Sequence, residues 1–275
     1  MITAAAVNEL RKATGAGMMD CKNALQETNG DMEQAIDFLR KKGAKVSANR
    51  ADRDAAEGAA IAIASEDKKT GAVIRLNCET DFVAKNEDFI SLANKIAIAA
   101  LLNKPASIEE LKNISIEGVS LSERLLEYVG KIGEKIDVTV CEIVEGNLIV
   151  PYIHAGNKIG VLVALSTTGE KAEAAGKDVA MQIAAMSPVA LDKGDVSQEI
   201  IDREIEIGKA QAAAEGKPEA MLEKIALGKL NKFYKDSTLL NQDFVKDSSK
   251  TISQMLNDIE KGLTVTKFKR IQVGV

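Results

Sequence analysis

The segment "GAVIRLNCETDFVAKNEDFISLANKIAIAA", residues 71–100, changes its hydrophobic period once, and the change decides the fold class. At its start Ile74, Leu76 and Cys78 alternate with Val73, Arg75 and Asn77, the twofold period of a half-buried strand. At its end Phe89, Leu92, Ala93, Ile96, Ala97 and Ala100 fall on one face of a helix. A strand entering an amphipathic helix through a polar connection predicts an α+β chain in which helices cover antiparallel sheets. The connection sets a large apolar ring, Phe82, beside the carboxylate of Asp81. One turn before Phe89 the chain carries Lys85 and Asn86, so Phe82 does not extend the helical stripe. Two readings follow. The ring folds back and staples the helix start, or it projects as an aromatic anchor for another protein.

Upstream, "GAAIAIAS" (58–65) and "GAVIRLNC" (71–78) flank "EDKKTG", the pattern of a hairpin. Downstream, "IDVTVCEIV" (136–144), "NLIVPYIH" (147–154) and "IGVLVALS" (159–166) read as three strands. Gly146-Asn147 is expected to turn the first into the second. "KDVAMQIAAMSP" is then a helix ended by Pro188. The order strand, polar loop, Ala-rich helix thus occurs twice, which suggests an internal duplication. The expected divisions are a core subdomain at 58–135 and a second at 136–275, the latter interrupted by a helical hairpin at 197–235. In that hairpin "EGK" separates two helical runs, and Pro218 suits the start of the second. A protruding pair and a pair folded back on the core are both allowed. Beyond it, "FVKDSSKTISQMLNDIEKG" contains a helix and "LTVTKFKRIQVGV" a strand.

Residues 1–43 read as three short helices with breaks at "TGAG" and "TNGD". Asp31 is the expected cap of the third helix and Gly43 its expected stop. Met18 and Met19 cannot share one helical face. One is expected in the core, with a thioether contact edge as the sharper alternative. Residues 44–57 read as a charged linker with partial helix allowed.

Composition narrows the function. The chain has 275 residues, 45% of them hydrophobic, no Trp and a net charge of −5. That charge argues against nucleic acid as the main ligand, because phosphate binding needs a concentrated basic surface. A rival reading would use Lys41, Lys42, Lys45, Arg50 and Arg53 on RNA. Three scattered cysteines suit free thiols in a reducing compartment. The start lacks a charged, apolar leader and no run reaches membrane-spanning length, so a cytoplasmic protein without membrane contact is expected. His154, the only histidine, follows a strand at a loop edge with no partner evident in the sequence, and reads as a surface or capping histidine, with contact to a partner as the alternative. A second rival would make it the centre of a small-molecule active site. No Walker loop, dinucleotide fingerprint or nucleophile elbow occurs, so neither an enzyme nor a bound cofactor is expected.

"ELRKATGAGMMDCKNAL" (9–25), "LNCETDFVAKNEDF" (76–89) and "HAGNKIGVLVAL" (154–165) resemble the elongation factor Ts family, in order and over nearly the whole chain. The resemblance implies an N-terminal module of ubiquitin-associated type, two related core subdomains and a protruding antiparallel coiled coil. It also implies a partner, the GTPase elongation factor Tu, from which the family releases GDP. By the same resemblance Thr80, Asp81, Phe82 and Val83 enter the GTPase domain near its magnesium site. His154, Ile132 and Gly133 contact the same domain. Arg11, Met18, Met19 and Lys22 form the N-terminal contact surface. Some members of the family continue past the position of "IQVGV" into a helical module that also touches the GTPase, and that contact is not expected here. Self-association of the core is left open, and direct nucleic-acid binding is not expected.

Overall fold

The structure, a computed structural model, describes residues 2–274. Three helices open the chain: α1 (Ala4–Thr14), α2 (Met18–Glu27) and α3 (Met32–Asn49). Thr3 and Asp31 cap α1 and α3 by accepting backbone N–H groups with their side chains. Val7, Leu10, Cys21, Ala24, Leu25 and Ala35 close a small core between the three.

The third helix does not stop at Gly43. It runs one and a half turns further, to Asn49, because Gly43 lies at a helix crossing. Its partner is α7 (Leu121–Ile132). A Cβ on Gly43 would sit 2.5 Å from the Leu126 carbonyl oxygen, and one on Gly130 would sit 3.1 Å from Gly43 Cα. Glycine costs a helix interior about 0.5–1 kcal/mol, and close packing of the two helices offsets it here. Beyond the crossing, Val46 packs on the central core. The segment that reads as a tether therefore begins as a docked helix.

The central structure is built from two three-stranded antiparallel sheets. In the first, β1 (Glu57–Ala64) pairs with β2 (Thr70–Cys78), which pairs with β5 (Asp137–Glu145). Between β2 and β5 come α4 (Asp81–Ala84), α5 (Glu87–Asn103), α6 (Ile108–Asn113), the two-residue strands β3 (Ser115–Ile116) and β4 (Val119–Ser120), and α7. In the second sheet β7 (Ile159–Leu165) is central, flanked by β6 (Leu148–His154) and β10 (Val265–Gln272). Between β7 and β10 lie α8 (Glu170–Met186), the helix pair α9 (Gln198–Ala214) and α10 (Glu219–Ser237), the short strands β8 (Asp243–Phe244) and β9 (Asp247–Thr251), and α11 (Ile252–Ile259). Each sheet thus takes a hairpin, a helix that follows the central strand, and a returning strand.

The three-strand run at 136–166 is divided between the sheets. Gly146-Asn147 does not close a hairpin; β5 joins β2, and β6 joins β7. The passage is fixed from outside: Gly146 N–H donates to the Lys69 carbonyl at 3.0 Å and Ile149 N–H to the Lys68 carbonyl at 2.6 Å. The β1–β2 turn holds the crossing point, and nothing in the local turn chemistry records it.

The layers follow from the strand period. Ile61, Ile74 and Leu76 face α5, whose Phe89, Leu92 and Ile96 are fully buried. Ala60, Ala62 and Val73 point the other way, onto Ile149, Leu162 and Ala164 of the second sheet. Val161, Val163 and Leu165 then face Val179 and Ile183 of α8. The order is helix, sheet, sheet, helix. Strand β2 is therefore buried on both faces over its first half, where the alternation reads as half-buried. Small residues on the inner faces let the sheets approach: a Cβ on Gly71 would meet Ile149 Cγ2 at 2.6 Å.

In the helix pair, Gly208 lies against Ala226, where an added Cβ would be 3.0 Å from the Ala226 Cα. Leu230 and Ala212 are buried along the pair. No described helix is long and apolar enough to cross a membrane.

Candidate functional site

The connection after β2 is a single helical turn, α4, with Phe82 on its outside. Thr80 caps it: its Oγ1 accepts the Val83 N–H. The turn ends where Asn86 begins to cap α5 by accepting the Asp88 N–H at 2.8 Å. Ala84 is the buried residue of the turn, and Val83 packs partly on the core. Phe82 is 83% exposed. Of the two readings open from the sequence, the fold-back staple fails. A ring this exposed contributes nothing to the core of its own chain.

Asp81, beside it, donates nothing and accepts from Lys85 Nζ at 2.6 Å. That hydrogen bond, reinforced by the charges of Lys85 and Lys158, holds its carboxyl below the ordinary aspartate value. The turn thus carries an ionised carboxylate next to an exposed ring.

Other elements reach the same end of the sheets. The β6–β7 turn at 154–158 lies alongside the start of β1, with Ala60 N–H donating to the Asn157 carbonyl at 2.7 Å. Lys158 of that turn pairs with Glu57. His154 is exposed at the turn, and its Nδ1 is 2.9 Å from the Tyr152 hydroxyl, with the two rings stacked. This is an arrangement for presenting an imidazole at a surface. A phenol in place of a carboxylate does not make the orienting group of a nucleophilic triad.

The end of α7 arrives from the other side. Gly133 takes the left-handed conformation (φ 80°) and closes the helix by donating to the Val129 carbonyl. Glu134 follows. Its carboxylate accepts the backbone N–H groups of Glu79 and Thr80 at 3.1 and 3.0 Å and the Thr80 hydroxyl at 2.7 Å. Glu79 answers across the same gap, accepting the Lys135 N–H at 2.6 Å and two contacts from one Arg50 nitrogen at 2.7 and 2.8 Å. Burial acts to raise the Glu79 pKa, but the Lys135 N–H and the Arg50 guanidinium outweigh it, and the carboxyl lies below its ordinary value. Ile132 and Gly133, both half-buried, are thereby held next to the base of α4.

The N-terminal helices join through Lys131. A Cβ on Gly15 would be 3.4 Å from Lys131 Cδ, and Lys131 Nζ binds Asp88 in the first turn of α5 at 2.6 Å. Met18 and Met19 are 55% and 64% exposed. Neither enters the core, contrary to the expectation for one of them. They are the first two residues of α2, and the buried stripe starts later, at Cys21. Arg11 and Lys22 are exposed as well.

The basic row proposed for RNA is partly engaged within the chain. Arg50 is bound to Glu79, and Lys42 pairs with Asp20 at 2.5 Å. The three cysteines are free. Burial pushes the Cys78 thiol up to about 12, so it remains a donor, and its Sγ lies 3.2 Å from the Thr80 carbonyl oxygen.

A family model described as "Elongation factor TS" matches residues 79–275. Elongation factor Ts of Cytophaga hutchinsonii is 58% identical over 275 residues, 99% of this chain and 99% of its own length. The chain belongs to the elongation factor Ts family. Elongation factor Ts of Amoebophilus asiaticus is 53% identical and that of Flavobacterium psychrophilum 50%, each covering 99% of both chains. Members of the elongation factor Ts family are nucleotide exchange factors for elongation factor Tu in translation, and they are not catalytic enzymes. Sequence reasoning missed Glu79 and Glu134, and it placed Arg50 on RNA rather than on Glu79. Their signal was faint: charged residues at the ends of three elements far apart in the chain, with nothing in their spacing to join them.

Proposed function

We propose that this chain binds elongation factor Tu, in its GDP-bound and nucleotide-free forms, and releases GDP by inserting the Phe82 ring into the GTPase domain near the magnesium and phosphate site. The observation that carries the reading is the near-complete exposure of Phe82 on a turn whose base is fixed at several points. Thr80, Asp81 and Val83 enter with it. Ile132, Gly133 and His154 flank the entry. Arg11, Met18, Met19 and Lys22 hold the same partner from the N-terminal module, which corresponds to the family's ubiquitin-associated type. The two sheets with their helices act as the two related subdomains of the family. The helix pair α9–α10 is its protruding coiled coil. The proposed working divisions start from 1–43, 58–135 and 136–275, with α3 carrying the first boundary on to Asn49 and the pairing of β5 with β2 moving the last one to the β5–β6 passage. The cytoplasm is the proposed site of action.

The mechanism is differential binding. GDP is held through its phosphates, by backbone N–H donors and by Mg²⁺. A ring that displaces those groups raises the free energy of the nucleotide complex, and contact with the exchange factor offsets that strain. The coupling is reciprocal. A thousandfold loss of nucleotide affinity needs about 4 kcal/mol, whereas burying one aromatic ring supplies about 1.5–3 kcal/mol. Phe82 therefore requires the other segments.

The test is release of fluorescent GDP from elongation factor Tu into excess unlabelled nucleotide. Catalytic amounts of the wild-type chain are expected to accelerate release severalfold or more. Release at the unassisted rate refutes the proposal.

A further inference from the structure

A four-residue helix has too few internal hydrogen bonds to hold its own direction. Something outside α4 must set the angle at which Phe82 leaves the surface. Thr80, the residue on which the turn is built, is bound at each polar atom. Its N–H and hydroxyl donate to Glu134, its hydroxyl oxygen accepts from Val83, and its carbonyl accepts from Ala84 and the Cys78 thiol. Two of those bonds, and a third from the Glu79 N–H, converge on one carboxylate. Glu79 returns the contact to the Lys135 N–H and is itself anchored by Arg50 at the end of α3. The result is a reciprocal clasp between the root of α4 and the end of α7, in which each side's carboxylate binds the other side's backbone.

We infer that Glu134 is a positioning residue for nucleotide exchange: it fixes the root of α4 so that Phe82 projects at the angle the GTPase domain requires. This rests on the wedge reading above. Glu134 itself need not touch the partner. Its carboxylate acts through Thr80, and its place directly after Gly133 couples the angle of the ring to the seating of α7. Since α7 also carries the N-terminal helices through the Gly43–Gly130 crossing, the clasp joins the N-terminal contact surface to the wedge. Charge-assisted hydrogen bonds of this kind are strong and directional.

The experiment is a double-mutant cycle on fluorescent-GDP release from elongation factor Tu, with Glu134→Ala, Phe82→Ala and the pair. Glu134→Ala is expected to slow release by roughly tenfold, as misplacement of a positioned group does. In the Phe82→Ala background it is expected to add nothing, because no ring remains to be aimed. Hydrogen exchange at the Glu79 and Thr80 amides is expected to quicken in Glu134→Ala. Glu134→Gln keeps the volume and one acceptor oxygen, so it is expected to fall between wild type and Glu134→Ala, and it replaces the alanine variant if that chain fails to fold. Wild-type release by the Glu134 variant overturns the inference. So does a loss that multiplies undiminished onto Phe82→Ala, or a fall in Tm with release unchanged. If Phe82→Ala alone releases GDP normally, the wedge reading falls first and the inference with it.

Discussion

Phe82→Ala is expected to slow GDP release from elongation factor Tu by roughly ten- to a hundredfold, the counterpart of losing about 1.5–3 kcal/mol of aromatic burial in the exchange complex. The free protein is expected to melt at its wild-type temperature. Both halves follow from one number: the side chain is 83% exposed, so truncating it removes no core contact. Ala84, the buried residue of the turn, and the Thr80 cap are untouched. An aromatic-to-alanine change in the core, such as at the fully buried Phe89, costs about 3–5 kcal/mol of stability instead. The pattern expected at position 82 is therefore a large kinetic loss without a structural one. Affinity for the partner is expected to fall less than the release rate, since the other contact segments remain. Normal release by Phe82→Ala would remove the ring from the mechanism, whatever role the rest of the surface keeps.

Gly43→Val carries the second large effect, and here the loss is structural. The added Cβ would meet the Leu126 carbonyl oxygen at 2.5 Å and its carbon at 3.3 Å. Those atoms belong to a helix backbone and cannot rotate aside. Helices α3 and α7 must separate, which loosens Val46 on the core and the Arg40–Glu127 pair at 3.5 Å. Overpacking of this kind costs about 1–3 kcal/mol or more. The variant is expected to show a lower Tm, proteolytic cutting between α3 and β1, and weaker binding to elongation factor Tu as the N-terminal helices lose their seat. Gly228→Ala is the control. Gly228 is exposed in the middle of α10 with nothing within 4 Å of an added Cβ, so the change should leave cutting and binding in place. It should raise Tm slightly, since glycine costs a helix interior about 0.5–1 kcal/mol. An unaltered Tm in Gly43→Val would contradict the close helix crossing.

These two residues also mark what the sequence reveals and what it hides. Segments whose partners lie near in the chain are legible from it. The β1–β2 hairpin, the α5 stripe from Phe89 to Ala100, the Asp31 cap and the α9–α10 pair all follow from local period and turn chemistry. Gly43 misleads because a glycine in a helical pattern signals a stop by propensity, whereas its reason here is Gly130, far along the chain. Gly146-Asn147 misleads likewise. It has the residues of a hairpin turn, but hydrogen bonds to Lys68 and Lys69 send the flanking strands into different sheets. Between α5 and β5, the start of α7 is written in the sequence as "SLSE", the Ser120–Glu123 capping box.

For the candidate site, the resemblance in "TDFVAKN" supplied the residues, and spacing alone left Phe82 between two fates. Only the three-dimensional arrangement decides that the ring faces outward. It also brings Glu134 under Thr80 from a distant helix end, a pairing with no local trace. Met18 and Met19 show the same limit. Helical geometry says they cannot share a face, yet at the first turn of α2 neither needs a core position.

The central claim is that contact with this chain and retention of nucleotide oppose each other on one partner. The measurement that tests it most directly is the affinity of the wild-type chain for elongation factor Tu, determined once with the nucleotide removed and once with saturating GDP and Mg²⁺. Binding is expected to weaken in the presence of nucleotide by the same factor by which this chain weakens GDP binding, as linkage requires. Equal affinity for the two forms would mean that nothing in the interface works against the nucleotide, and would contradict the claim.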